Sequence, residues 1–222
     1  MALATLTDLQ TAIQNFGQGR TDISTADIND MITLAENDIE HGTYNGEGRP
    51  ITRPLRVRSM ETKVDAFALS GEYTNLPSDY LEMREVWLTS QASWPPLRFV
   101  TPEAFDDTYA AGASGPPTAY SVVGTQLRVG PGAGVTDTCR LIYYATIPNL
   151  VTNSTNWLLT GWPNVYLYGA LRHLAPYIGA LEMLPVWQAA FVSALGGLIA
   201  SQTRGSFSGT SMAVRTPGVT IR

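Results

Sequence analysis

The apolar residues of this chain change their spacing twice, and that change limits the available folds more than any other feature. Leu6, Leu9, Ile13 and Phe16 recur every three or four residues, as do Ile28, Ile32, Ala35 and Ile39. Each set is one stripe of an amphipathic helix. From Ser59 the spacing becomes two: Glu61, Lys63 and Asp65 alternate with Met60, Thr62, Val64 and Ala66, the pattern of a half-buried strand. After Pro148 the helical spacing returns, and Met183 to Ala200 is eighteen residues without a charged side chain. Helices, then strands, then helices predict an α+β chain. Its helical bundle comprises 1–54 and 151–203, a small antiparallel β domain over 55–150 is inserted, and 204–222 form an extended C-terminal arm.

Local signals sharpen these boundaries. Thr5 with Asp8 fits a helix start, and Ser24 with Asp27 forms a capping-box-like start of a second helix. Gly17 with Gly19, and then Gly42, read as the ends. Residues 43–54 (TYNGEGRPITRP) read as an aperiodic connector. Further strands are expected at 81–89, 119–123, 126–129 and 139–147, with Gly124-Thr125 as a type II′ hairpin turn. Pro102 opens a short surface helix and Pro163 sits at the first position of a longer one. That helix runs to about Ile178, and a last helix covers 181–202.

Composition narrows the function classes. The formal net charge is -5 and charged residues are 15% of the chain, against about 25% in an ordinary soluble domain. The first figure argues against a basic nucleic-acid binder, and the second suggests that other chains cover part of the surface. Charge is also polarised. Residues 1–48 hold eight acids and one Arg, whereas 157–222 hold four Arg and one Glu. The only cysteine, Cys139, allows neither an intrachain disulfide nor a thiolate metal cluster, and no cofactor or metal is expected. No signal-peptide pattern opens the chain, so a cytoplasmic origin is expected. The apolar closing helix contains Pro185, Gln188, Gly196 and Gly197 without a flanking basic cluster, which argues against a membrane span. Neighbouring subunits are the expected cover, with Trp187, Phe191, Gly196 and Gly197 as packing residues.

Catalytic patterns are weak. His173 lies in an apolar helix, where a satisfied core or interface histidine is the expected role. Asp106-Asp107 point in different directions on their helix and read as solvated, and Glu82 and Glu85 on a strand are the other nearby carboxylate pair. Cys139 reads as a small hydrophobe. Trp87 and Trp94 would serve a carbohydrate-binding or tail-fibre-like β module if they lined a groove. Arg49, Arg53, Arg56 and Arg58 fall within ten residues. Two readings stand for them: a basic collar facing DNA or an acidic partner, or ion pairs with the acids of 27–47.

A set of strings then acquires meaning together. They are Leu55-Arg56-Val57-Arg58-Ser59-Met60-Glu61, Leu76-Pro77-Ser78-Asp79-Tyr80-Leu81-Glu82, Thr101-Pro102-Glu103-Ala104-Phe105 and Gly115-Pro116-Pro117. Tyr143-Tyr144, Ile147-Pro148 and Asn156-Trp157-Leu158-Leu159 leading to Tyr166-Leu167-Tyr168-Gly169-Ala170-Leu171 complete the set. In this order the chain resembles the head-to-tail adaptor (connector) proteins of tailed bacteriophages, especially short-tailed ones, over roughly residues 3–203. The resemblance implies a non-enzymatic virion protein at the capsid vertex. It implies a homo-oligomeric ring, commonly of twelve copies, docked beneath the portal protein. Such a ring extends the channel for double-stranded DNA and carries a downstream tail or nozzle protein. It also implies a C-terminal arm reaching the portal. The flexible composition of 204–222, with Phe207, Met212, Val214, Val219 and Ile221 as apolar anchors, suits that role.

Overall fold

The structure is a computed structural model that describes residues 3–17, 23–90, 95–109, 113–132 and 134–206, the last three by backbone alone. The chain divides into two compact units: 1–58 with 149–222, and 59–148.

The first unit is helical. Helices α1 (Leu6–Phe16) and α2 (Thr25–His41) both begin in complete capping boxes, Thr5 with Asp8 and Ser24 with Asp27. Each box satisfies backbone donors that a helix start leaves orphaned. Gly42 ends α2 at φ 78°, and a β-carbon there would lie 2.6 Å from the Thr52 carbonyl, so glycine is required on two counts. The 43–54 segment differs from the expected aperiodic connector. It forms a two-stranded hairpin, β1 (Thr43–Tyr44) with β2 (Pro50–Thr52). Asn45 closes its loop, its side-chain oxygen accepting from the Glu47 and Arg49 amides at 3.0 and 2.8 Å.

The rest of this unit is the short helices α4 (Leu150–Asn153) and α5 (Trp157–Gly161), then α6 (Pro163–Ile178) and α7 (Leu184–Ser206). Helix α6 packs against α1, α2 and α7 and buries Val165, Tyr166, Ala170, Leu171 and Leu174. Gly169 permits the closest approach: a β-carbon there would sit 3.0 Å from the Ala35 methyl and 3.2 Å from the Phe191 ring.

Among its described residues the second unit has seven strands: β3 (Glu61–Ala68), β4 (Tyr73–Asn75), β5 (Tyr80–Leu88), β6 (Arg98–Phe99), β7 (Ala119–Val123), β8 (Gln126–Gly130) and β9 (Thr138–Ala145). The short helix α3 (Pro102–Thr108) lies between β6 and β7. One sheet has the order β3-β9-β5, the other β4-β8-β7-β6. All pairings are antiparallel except β6 with β7. Val86, Leu88, Leu141 and Tyr143 of one sheet share a core cluster with Tyr120, Leu127 and Val129 of the other. At the β7–β8 turn Gly124 has φ 60° while Thr125 keeps a negative φ, which is the type II′ sense. The alternation along β3 breaks once. A bulge between Val64 and Phe67 turns Ala66 out to solvent and brings Phe67 against the core, so Ala66 does not belong to the inward face.

Candidate functional site

The helical unit contains a cleft of about 640 Å³ lined by Asp38 of α2, Arg172 and His173 of α6, Gln188 of α7, and Tyr44 and Ile51 of the hairpin. One carboxylate oxygen, Asp38 Oδ2, meets His173 Nε2 at 2.6 Å and also the Arg172 guanidinium. Arg172 further donates to Gln188 Oε1 at 3.1 Å and stacks over the Phe191 ring at 4.4 Å. Burial pulls the Arg172 pKa down, and the Asp38 charge opposes that pull. A histidine bonded to a carboxylate is two-thirds of a nucleophilic triad, yet His173 bonds only Asp38 and Arg172 among the described residues. The nearby Thr43 hydroxyl is engaged with the Thr52 hydroxyl at 2.9 Å. The cluster ties α2, α6 and α7 together.

A second polar cluster lies within the same unit. Glu36, 7% exposed, accepts from the Leu150 amide at 2.8 Å, Asn149 Nδ2 at 2.8 Å and the Tyr166 hydroxyl at 3.0 Å. Asn156 donates to the Tyr166 hydroxyl at 2.7 Å and caps α5 by accepting from the Leu159 amide at 2.9 Å. Burial raises the pKa of Glu36, and burial with the nearby Glu36 charge raises that of Tyr166.

The arginine cluster divides. Arg49 pairs with Glu47 at 3.4 Å, both side chains exposed. Arg56 donates to the Glu40 and Leu55 carbonyls at 2.9 and 2.7 Å, holding the carbonyl end of α2, where a cation is favoured. Arg53 and Arg58 are exposed. The acids of α1 and α2 are largely committed as well: Asp8 and Asp27 cap helices, with their pKa values lowered first by the Thr5 and Ser24 hydroxyls, while Glu36 and Asp38 serve the clusters above.

Helix α7 has two unlike faces. Trp187 and Phe191 are 4% and 0% exposed, buried in the core of the helical unit with Leu195 and Leu198. This corrects the expectation that they pack between subunits. Gly196 has open space where a side chain would stand, and Gly197 has the Trp162 ring 3.6 Å away. The outer face carries Val186, Ala189, Val192, Gly196 and Ile199, with Val186 57% exposed. By length and hydropathy, Leu181–Thr203 would also suffice to cross a membrane, with 28% of its most apolar window buried.

In the β unit Asp106 is solvent-exposed and also accepts from Arg128 Nη1 at 2.5 Å, while Glu72 accepts from Arg128 Nε at 2.7 Å. Arg128 is stacked between Phe105 and Tyr73 at 4.5 and 5.3 Å. Trp87 donates its indole N–H to Glu85 at 3.0 Å and has Arg140 over its ring at 5.1 Å, so that ring face is occupied and offers no sugar platform. Burial pushes the Cys139 thiol up to about 12, which suits a core residue and not a thiolate nucleophile. Among the described residues no three His, Cys, Asp or Glu converge as metal ligands. Trp94, Phe207, Met212, Val214, Val219 and Ile221 lie outside the described residues.

Sequence reasoning missed the Asp38–Arg172–His173 and Glu36–Tyr166–Asn156 clusters. Their acids lie on α2, over a hundred residues from their partners on α6 and at the start of α5, and the only local trace was an acid or a cation inside an apolar stripe. A family model described as SU10 adaptor protein matches residues 4–216. No curated protein matches the chain.

Proposed function

The chain belongs to the SU10 adaptor protein family, a family of phage head-to-tail adaptors, and from that premise we propose that its copies close into a ring beneath the portal. The ring has about twelve members, by analogy with similar adaptors and the closed symmetry usual for oligomers. It extends the channel for double-stranded DNA without sequence-specific contact and offers the surface on which a downstream tail or nozzle protein is mounted. The protein is a structural virion component at the capsid vertex, not an enzyme and not membrane-bound. The helical unit, as a bundle, forms the ring, and the β unit is an insertion directed outward or toward the tail.

One observation supports this reading above the others: the uncharged outer face of α7. A contiguous apolar patch of this kind marks an association surface, and small residues at Ala189 and Gly196 favour close packing of another helix. Lipid is the competing cover, and the family membership favours a sister copy. Arg53 and Arg58 are left to face DNA or an acidic partner. The C-terminal arm expected over 204–222, whose first three residues continue α7, binds the portal through Phe207, Met212, Val214, Val219 and Ile221.

Electron microscopy of the protein mixed with its portal tests the assignment: a ring coaxial with the portal is expected. Crosslinking of intact virions that trapped no contact between identical chains would refute the ring. Deleting 205–222 leaves a folded subunit that no longer joins portals, and docking of the truncated chain with unchanged affinity would refute the arm. Flotation with phosphatidylcholine vesicles, expected to leave the protein in the dense fraction, separates lipid from protein as the cover of α7.

A further inference from the structure

We propose that the Arg140–Trp87 corner of the β unit is a socket for a carboxylate side chain of another virion protein. Arg140 and Trp87 face each other across β9 and β5, with the guanidinium 5.1 Å over the indole ring. The indole N–H is bound by Glu85 at 3.0 Å, which fixes the ring that supports the cation. Beside them opens a small recess of about 230 Å³, lined also by Asp65, Leu88 and Thr89, on the scale of a single side chain and not of a folded segment. Arginine presents a planar fork of donors suited to a carboxylate.

Among the described residues Arg53, Arg58 and Arg98 also lack a carboxylate but are exposed to water, whereas Arg140 is partly buried with nothing to fill that fork. The two largely buried arginines are both answered: Arg128 by Glu72 and Asp106, and Arg172 by Asp38. The exposed Arg84 is answered by Glu61. Among the described residues Arg140 has no carboxylate within ion-pair distance, and its Nε is buried with no acceptor. Asp65, the acid nearest in the recess, is engaged by Lys63 at 2.8 Å. Glu85 is turned to the indole. A guanidinium stacked on an aromatic ring, partly desolvated and without a counter-ion, is complementary to an anion brought by a partner.

The charge of the unit selects the class of anion. Residues 59–148 hold ten acidic and five basic side chains. A polyphosphate backbone approaching within a Debye length, roughly 8 Å at physiological salt, meets that net negative field along its whole length. A lone carboxylate sets only one charge against that field and can offset it with the one guanidinium. The occupant is therefore an aspartate or glutamate of a protein.

The test uses phage carrying Arg140→Met, which keeps a side chain to lie on Trp87 without the charge, and Arg140→Glu. Thermal melting of each purified subunit and its ring formation with the portal are checked first. Both are expected to match the wild type, because the Arg140 side chain is not part of the core cluster of the β unit. This also separates the inference from the adaptor reading, whose failure would leave wild-type rings unformed. The yield of infectious particles should then fall at least tenfold for Arg140→Met and further for Arg140→Glu. Suppressors of Arg140→Glu should change an acidic codon of another virion gene to Lys or Arg. Plating of Arg140→Met at wild-type efficiency overturns the socket, as do suppressors confined to this chain's own gene. Salt-dependent binding of a short DNA duplex that is lost in Arg140→Met would replace the protein partner with nucleic acid and overturn it equally. Should Arg140→Glu fail to fold, Arg140→Met alone decides.

Discussion

At the scale of single residues, buried acids explain more of this chain than exposed ones. Glu36 faces three donors from Leu150, Asn149 and Tyr166, an arrangement that a carboxylate satisfies and an amide does not. Replacing it by Gln turns an N–H₂ toward one of those donors, and an unmatched buried polar group costs about 1–3 kcal/mol. Urea unfolding of Glu36→Gln at pH 7 should show that loss. The titration adds a sign. Burial raises the Glu36 pKa above 4.5 in the folded state, so the fold binds its proton more tightly than the unfolded chain does. The associated stability is complete below 4.5 and is lost as pH rises through the folded value. The gap between wild type and Glu36→Gln should therefore widen as pH is lowered across that interval, and a gap that narrowed would show the carboxylate to be ionised by preference. Comparison at equal pH cancels Asp8 and Asp27, whose lowered pKa values act in the opposite direction.

Among elements, α7 allows the sharpest separation of folding from assembly. Phe191 and Val192 are neighbours in sequence but are 0% and 37% exposed. Phe191→Ala removes a ring packed on Gly169 and Arg172, and such truncations cost about 3–5 kcal/mol. Val192→Glu alters the outer face, where substitutions usually stay within about 0.5 kcal/mol. Denaturation of the subunit should register the first and ignore the second, while sedimentation of the assembled protein should lose its ring with the second. A capping substitution provides a third reference: Ser24→Ala should cost about 1 kcal/mol in the melting curve without changing assembly. The α2 start was legible because Ser24 and Asp27 are three residues apart and the chemistry is local. Pro163, Gly42 and the Gly124 turn were legible for the same reason. The hairpin of Thr43–Tyr44 with Pro50–Thr52 was not, since two or three residues are too few for alternation to appear and Asn45 closes the loop through its side chain. The bulge in β3 broke an alternation that is regular in the sequence through Ala66. The polar clusters depend on α2 meeting α6, which no spacing within either helix reveals.

Across the whole molecule, the chain passes between its two units only near residues 58–59 and 148–149, and each unit owns its hydrophobic core. Leu141 lies at 0% exposure in the cluster shared by the two sheets of the β unit. Truncation to Ala should cost about 2–5 kcal/mol, but the loss should stay within residues 59–148 if the units open as separate cooperative blocks. Amide hydrogen exchange followed by mass spectrometry can distinguish the cases. Peptides from β5, β8 and β9 of Leu141→Ala should lose protection together, while peptides from α2, α6 and α7 keep wild-type rates. Uniform acceleration in both sets would mean that the two units unfold as one. Because the face proposed to build the ring belongs to α7, the same variant should still assemble, and its particles should then fail only at contacts made by the β unit.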